Sequence, residues 1–203
     1  RFHVPMFGNR YLLKIEERER SPNQYDLLAA AGIPHPRLFE RPDDIDRPVL
    51  VKVLEQARGF ERAFFVARDR DDFERVASAR LSAGTFTEEA LESATIEEFV
   101  LGALVNLNFF YSPLHDRLEL LGTDARRQTN VTGLAGLPAS LHDEVVAAVG
   151  LKYEEAGHVA VTVLESMLER AFELGERFVA AAAQAYPPSA IGPFAPHSRA
   201  CPG

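Results

Sequence analysis

Ile96-Glu97-Glu98-Phe99-Val100-Leu101-Gly102 opens a stretch, running on to Asn130-Val131-Thr132-Gly133-Leu134, whose reading decides the fold. Three apolar runs follow one another in it, joined by turn-forming residues. The middle run alternates. Val105, Leu107, Phe109 and Tyr111 fall on one side, while Leu104, Asn106, Asn108 and Phe110 fall on the other. Successive side chains of a strand point to opposite faces, so this period of two predicts a half-buried strand. Ser112-Pro113-Leu114-His115-Asp116 predicts a turn, because proline presets φ and aspartate can hydrogen-bond its own backbone. Arg117 to Asp124 then returns, with Leu118 and Leu120 on one face and Glu119 and Leu121 on the other. Together the runs predict a three-stranded antiparallel meander with one packed face and one partly polar face. A polar face on a rigid sheet can hold a ligand. Glu97 and Glu98 enter this one, and a basic cluster containing Arg126, Arg127 and Asn130 leaves it.

Upstream, Arg47-Pro48-Val49-Leu50-Val51-Lys52-Val53-Leu54 is a β-branched run that predicts a buried strand with Lys52 in its middle. Phe64-Phe65-Val66 predicts its partner strand. Asp69 to Ala83 predicts a helix with acids in its first turn, where the macrodipole favours them, and a shorter helix is expected from Thr85 to Ser93. Nearer the start, Ser21-Pro22-Asn23-Gln24 predicts a helix capped by Ser21 and stopped by Gly32. Downstream, the chain reads as loop and irregular structure from Leu134 to Gly157. Thr162 to Tyr186 predicts the longest helix, with Leu164, Met167, Leu168, Ala171 and Phe172 on its apolar stripe. Glu173 and Arg177 are expected to pair on the wet face.

The chain of 203 residues is long enough for one large domain or two small ones, each with a real core. Its formal charge of −8 argues against a nucleic-acid partner or an anionic membrane surface, since both select basic faces. A small anionic ligand in a local basic pocket is compatible with that charge. The single cysteine, Cys201, excludes an intrachain disulfide and fits a reducing, cytoplasmic compartment. No apolar run reaches membrane-spanning length. The chain starts at Arg1-Phe2-His3, inside what reads as a strand, and stops after Ile191-Gly192-Pro193-Phe194 and a short polar tail with no closing element. Both ends read as those of a piece of a longer protein.

Few residues carry chemistry by spacing alone. Lys52 needs a counter-charge or water, because burying a bare ammonium costs several kcal/mol. A phosphate would satisfy it, and so would a place on an edge strand from which its stem snorkels outward. Glu97, Glu98, Phe99 and Val100 read either as a hinge for a base edge or as an ordinary strand that starts with acids. Arg126, Arg127 and Asn130 form either a phosphate or ribose pocket, since the guanidinium fork matches phosphate, or a solvated loop. The six histidines show no metal-ligand spacing, and Asp43-Asp44-Ile45-Asp46 lacks the calcium-loop pattern. No Walker loop, nucleophile elbow or dinucleotide glycine pattern is present.

Several blocks in order nevertheless carry a family likeness. Val4-Pro5-Met6-Phe7-Gly8-Asn9-Arg10, Ala31-Gly32-Ile33-Pro34, Asp43 to Lys52, Ile96 to Val100, Phe110 to Leu114, Glu119 to Gly122 and Ile191 to Phe194 resemble the formate-dependent AICAR ligases of purine biosynthesis (the PurP family). That resemblance covers nearly the whole chain and implies an α+β, ATP-grasp fold, two α+β subdomains with antiparallel sheets that clasp ATP. It also implies that residues 1–20 end an N-terminal domain, 21–95 form the small subdomain, and 96–203 form a large subdomain incomplete at its C-terminus. The implied activity is ATP-dependent formylation of AICAR to FAICAR with formate, through formyl phosphate, with Mg²⁺ assisting. Lys52 would meet the ATP phosphates, Glu97, Glu98, Phe99 and Val100 would form the adenine hinge, and Asn130, with Arg127, would hold AICAR. The metal ligands would lie outside these residues. Partners would be the small molecules AICAR, formate and ATP, and the family's tendency to assemble implies a homo-oligomer.

Two departures from the family pattern stand out. The glycine-rich loop expected after the lysine strand is replaced by Leu54-Glu55-Gln56-Ala57-Arg58-Gly59-Phe60-Glu61-Arg62, with one glycine and two acids. The arginine expected before the Glu-Ser of the late helix is Leu164. A rival reading is a diverged homologue that binds a nucleotide or a protein partner without catalysis.

Overall fold

The structure is a computed structural model that describes residues 7–16, 21–53, 64–150 and 155–200. The expected opening strand at Arg1 to Met6, the loop from Leu54 to Arg62, and Cys201 lie outside the described residues. In chain order the elements are α1 (Arg10–Lys14), α2 (Gln24–Ala30), β1 (Leu38–Phe39), β2 (Val49–Lys52), β3 (Phe64–Ala67), α3 (Arg70–Ser82), α4 (Glu88–Glu92) and β4 (Thr95–Glu98). They continue as β5 (Ala103–Ser112), β6 (Arg117–Gln128), α5 (Thr129–Leu134), α6 (His142–Val149), β7 (Glu155–Ala160), α7 (Glu165–Ala185), β8 (Gly192–Phe194) and β9 (His197–Ala200). The chain divides into two compact units, one of residues 1–35, 102–125 and 160–203, the other of residues 36–101 and 126–159.

In the second unit a four-stranded antiparallel sheet runs in the order β1-β4-β2-β3. Its residues alternate as the pleat requires. Val49, Val51 and Val53 are buried with Phe65 and Ala67 of β3 and Ile96 of β4, against Phe73 and Ala77 of α3. Leu50 and Lys52 face the other way and are half-buried. Helix α3 begins where Asp69 accepts a hydrogen bond from the Asp72 amide (2.8 Å), an N-cap that satisfies one of the first turn's orphan donors. Helix α4 is capped in the same way by Thr87.

β4 corrects the sequence expectation of a three-stranded meander. It does not join β5 and β6 but pairs with β1 and β2. Local alternation identifies a strand without naming its partner, and Leu50↔Glu97 and Val51↔Ile96 are long-range choices that bury Ile96 in the other core.

In the first unit β5 and β6 form the expected hairpin, with β8 and β9 both antiparallel to β5. β9 lies in the stretch expected as a short polar tail with no closing element. The strands of this unit run in the order β6-β5-β8, with β9 also on β5. Val105, Leu107 and Phe109 bury one face of β5 with Ala171 of α7. Phe109 lies edge-on to Phe172 (centroids 5.7 Å) and stacks on Phe194 (5.6 Å). A second cluster packs Ile15, Leu27 and Ala182.

Several local expectations are corrected here. The cap of α2 is Asn23, not Ser21. Its side chain accepts from the Tyr25 amide while Asp26 accepts from the Asn23 amide, a reciprocal capping box that satisfies two donors at once. Gly32 does end α2, with φ +60, a left-handed conformation that favours glycine. Leu164 is not on the packed stripe of α7. It is the N-cap residue and 71% exposed. Arg177 does not pair with Glu173. It donates to the carbonyls of Ala31 (2.9 Å) and Gly32, while Glu173 pairs with Arg170 at 2.6 Å. The stretch from Leu134 to Gly157, expected as loop and irregular structure, contains α6 and the start of β7, and α5 precedes it.

Candidate functional site

Lys52 is the last residue of β2, an inner strand with β4 on one side and β3 on the other. It is therefore not an edge lysine. Lys52 stands opposite Thr95, and Leu50 stands opposite Glu97, so Lys52 and Glu97 are diagonal neighbours on one face of the sheet. Their side chains form an ion pair, and both are withdrawn from water, 16% exposed for Lys52 and 8% for Glu97. The counter-charge that Lys52 needs is thus supplied by the sheet itself.

The next residue points elsewhere. Glu98 Oε1 accepts from Arg47 Nη1 and Glu98 Oε2 from the Arg37 amide, both at 3.3 Å. The Arg47 guanidinium also donates to Asp46, and this contact followed by the one to Glu98 raises its pKa above the usual arginine value. Asp46 is correspondingly held below the ordinary carboxylate range, first by Arg47 and then by Arg37. The Glu98 and Phe99 amides donate to the carbonyls of Arg37 and Pro48, each at 2.8 Å. Phe99 and Val100, beyond the strand, are half-buried. The expected hinge is therefore divided, with Glu97 beside Lys52 and Glu98 tied to an arginine cluster.

The basic cluster is also divided. Arg126 lies 3.4 Å from Glu155 of β7 and is 22% exposed, so it serves the strand pair. Arg127 lines a cavity of about 410 Å³ together with Gln128, Thr129, Thr132, Gly133 and Ala156. Asn130 is not among those lining residues. Its side-chain amide donates to the Gly150 carbonyl at 2.7 Å and fastens α5 to the end of α6. A guanidinium with two threonine side chains is suited to an oxyanion, although the geometry prescribes no particular one.

A further polar constellation escapes the alternation rule. Asn108 pairs with Gly122 and Phe109 with Leu120, so Leu121 is an extra residue in β6, a β-bulge. The bulge inverts the parity of everything after it. Asp124, which unbroken alternation would put on the side of Leu118 and Leu120, becomes the partner of Asn106. Its carboxylate accepts from Asn106 (2.7 Å) and Asn108 (2.6 Å), and Asn106 is only 1% exposed. The two asparagines at spacing two were the available signal, but their acceptor could not be found without the bulge.

Among the described residues no group of three or more His, Cys, Asp or Glu side chains is arranged to hold a metal ion. Among them, too, no helix is long and apolar enough to cross a membrane.

Comparison with known proteins gives these features a setting. Residues 72–198 match a family model described as a domain of unknown function (DUF1297), and residues 1–39 match one described as a protein of unknown function (DUF1246). A 5-formaminoimidazole-4-carboxamide-1-(beta)-D-ribofuranosyl 5'-monophosphate synthetase of Methanopyrus kandleri is 42% identical over 193 residues, which cover 95% of this chain and 52% of that protein. The protein of the same description from Methanocaldococcus jannaschii is 41% identical with the same coverage. The crystal structure of an IMP biosynthesis protein PurP from Thermococcus kodakaraensis is similar at a TM-score of 0.60 and 28% identity, again over 95% of this chain and 52% of the other. The chain spans about half the length of the curated relatives it matches.

Proposed function

Because the chain belongs to the DUF1297 family and has the α+β ATP-grasp fold of PurP, we propose that it serves an ATP-dependent carbon–nitrogen ligase of IMP biosynthesis. The reaction proposed is formylation of AICAR by formate and ATP to give FAICAR, ADP and phosphate. Formate is a poor electrophile, and transfer of a phosphoryl group from ATP to its oxygen supplies a leaving group. The AICAR amine then attacks the formyl carbon and phosphate departs. Catalysis of this kind rests on positioning and on neutralising charge around the transferred phosphoryl group.

The observation that carries the reading is the place of Lys52. It is a half-buried cation on an inner strand, beside the acid that opens the proposed adenine hinge. In this reading Lys52 binds the ATP phosphates. Glu97 and the backbone around Phe99 and Val100 receive the adenine, while Glu98 fixes the hinge to Arg47 and Arg37. Arg127 offers its guanidinium to the nucleotide substrate, and Asn130 shapes that pocket through its bond to Gly150. Mg²⁺ would accompany ATP, but the described residues supply no cage for it, and no step here depends on one.

Two measurements test this. The complete gene product, given formate, ATP and AICAR, is expected to form FAICAR, and absence of product would remove the specific activity. Calorimetry is expected to detect ATP binding that Lys52→Ala abolishes. Equal binding by the variant would displace Lys52 from the phosphate site.

A further inference from the structure

We propose that Glu97 is an internal competitor for polyphosphate. Its carboxylate occupies the Lys52 ammonium when no nucleotide is present and must be displaced for a triphosphate to bind. The inference rests on the proposed role of Lys52 and adds a control on it.

The argument begins with the register. Lys52 and Glu97 lie on adjacent inner strands, two positions apart on one face, which is within reach of long side chains. Neither strand can slip to separate them, because a shift of one residue would turn Val49, Val51 and Ile96 out of their core. The two charges are therefore held together by the fold. Both are largely withdrawn from water, where a charge pair is weakly screened and loss of one partner strands the other. The outward neighbour of Glu97, Glu98, has Arg47 and the Arg37 amide for company, so the acids of this strand are not interchangeable.

A phosphate chain approaching Lys52 meets a cation already neutralised by a carboxylate. Binding must break one charge-assisted contact to make another, which lowers the net gain from the lysine. Displacement also releases the Glu97 carboxylate at the start of the hinge. Occupation of the phosphate site and availability of the proposed adenine acceptor are thereby linked, and a phosphate chain without a base would bind weakly. The linkage discriminates against free polyphosphates, which bear the same charge and lack the ring.

The test uses this chain and inorganic tripolyphosphate, which has no base to contact the hinge. Calorimetry is expected to show weak binding by the wild type and about ten-fold tighter binding by Glu97→Gln, which keeps the shape and removes the charge. The double variant Lys52→Met/Glu97→Gln is expected to stay folded and to bind no tripolyphosphate. Independently of any variant, the side-chain carboxyl carbon of Glu97, followed by NMR in the wild type, is expected to shift as tripolyphosphate saturates. Unchanged or weaker binding by a folded Glu97→Gln, with wild-type binding that depends on Lys52, would overturn the competitor and leave the phosphate site standing. A Glu97 side-chain carboxyl signal that stays still while the wild type binds would do the same. Absence of tripolyphosphate and ATP binding in every form would remove both the competitor and the function it rests on.

Discussion

Asn106 of β5 and Asp124 of β6 are direct cross-strand partners, and the amide of the first donates to the carboxylate of the second at 2.7 Å. Asn106 is nearly inaccessible to water, and Asp124 also receives the amide of Asn108. Truncation of the acceptor costs far more at a buried donor than at one that can turn to solvent. Asp124→Ala is therefore expected to destabilise the fold by about 1–3 kcal/mol. Urea denaturation checks this. A midpoint equal to that of the wild type would mean that the asparagine pair does not depend on the carboxylate.

Gly175 lies in the middle of α7 without a conformational reason to be glycine. Its reason is space. A Cβ there would come within 2.9 Å of Leu118 Cδ2 and 3.3 Å of Phe109 Cζ. Alanine would gain up to about 1 kcal/mol of helix propensity, while an added methyl in a packed core costs about 1–3 kcal/mol. Gly175→Ala is expected to lose more than it gains. Chemical denaturation yielding a more stable variant would show that α7 moves off the sheet freely.

How far such features are legible in the sequence differs from residue to residue. The burial of Val105, Leu107, Phe109 and Tyr111 follows from period two, and the turn at Ser112 to Asp116 from its proline and aspartate. Lys52 is visible as a cation in an apolar strand, but its partner is not. Glu97 is forty-five positions away, and only the order β1-β4-β2-β3 brings it near. Asp124 is hidden for a different reason, since one extra residue at Leu121 reverses the faces after it. Helix α5 carries Thr129, Asn130, Thr132 and Gly133, which are poor helix formers, so tertiary contacts decide it. Helix α6 was open to detection from the acids Asp143 and Glu144 in its first turn.

Tyr111 makes the alkaline limb of stability testable. Its hydroxyl donates to Asp116 at 2.8 Å, and that bond, burial and the adjacent carboxylate together raise its pKa above 10.0. A folded value above the unfolded one means the contribution is complete below about pH 10 and fades as pH rises through the folded value. Tyr111→Phe is expected to lose about 0.5–1.5 kcal/mol at neutral pH and to show a flatter alkaline limb. Stability of the two proteins measured from pH 8 to 12 should converge at the upper end. Parallel curves throughout would show that the phenol does not control this limb.

Asp72 supplies the opposite case at the start of α3. It is 8% exposed and accepts from the Arg68 amide at 3.1 Å, from the Arg75 guanidinium, and from Arg68 Nε at 3.3 Å. The backbone bond first, and then the Arg75 contact, hold its carboxyl below the ordinary value of 3.8. A depressed folded value contributes stability above the unfolded pKa and loses it as pH falls through the folded one. Asp72→Asn keeps the shape and one acceptor oxygen but cannot titrate. It is therefore expected to be less stable than the wild type at pH 7, with the difference shrinking steadily below about pH 4. Urea unfolding across that interval reads the difference directly. A constant offset down to pH 2 would assign the loss to helix capping geometry and deny the carboxylate its part in acid unfolding.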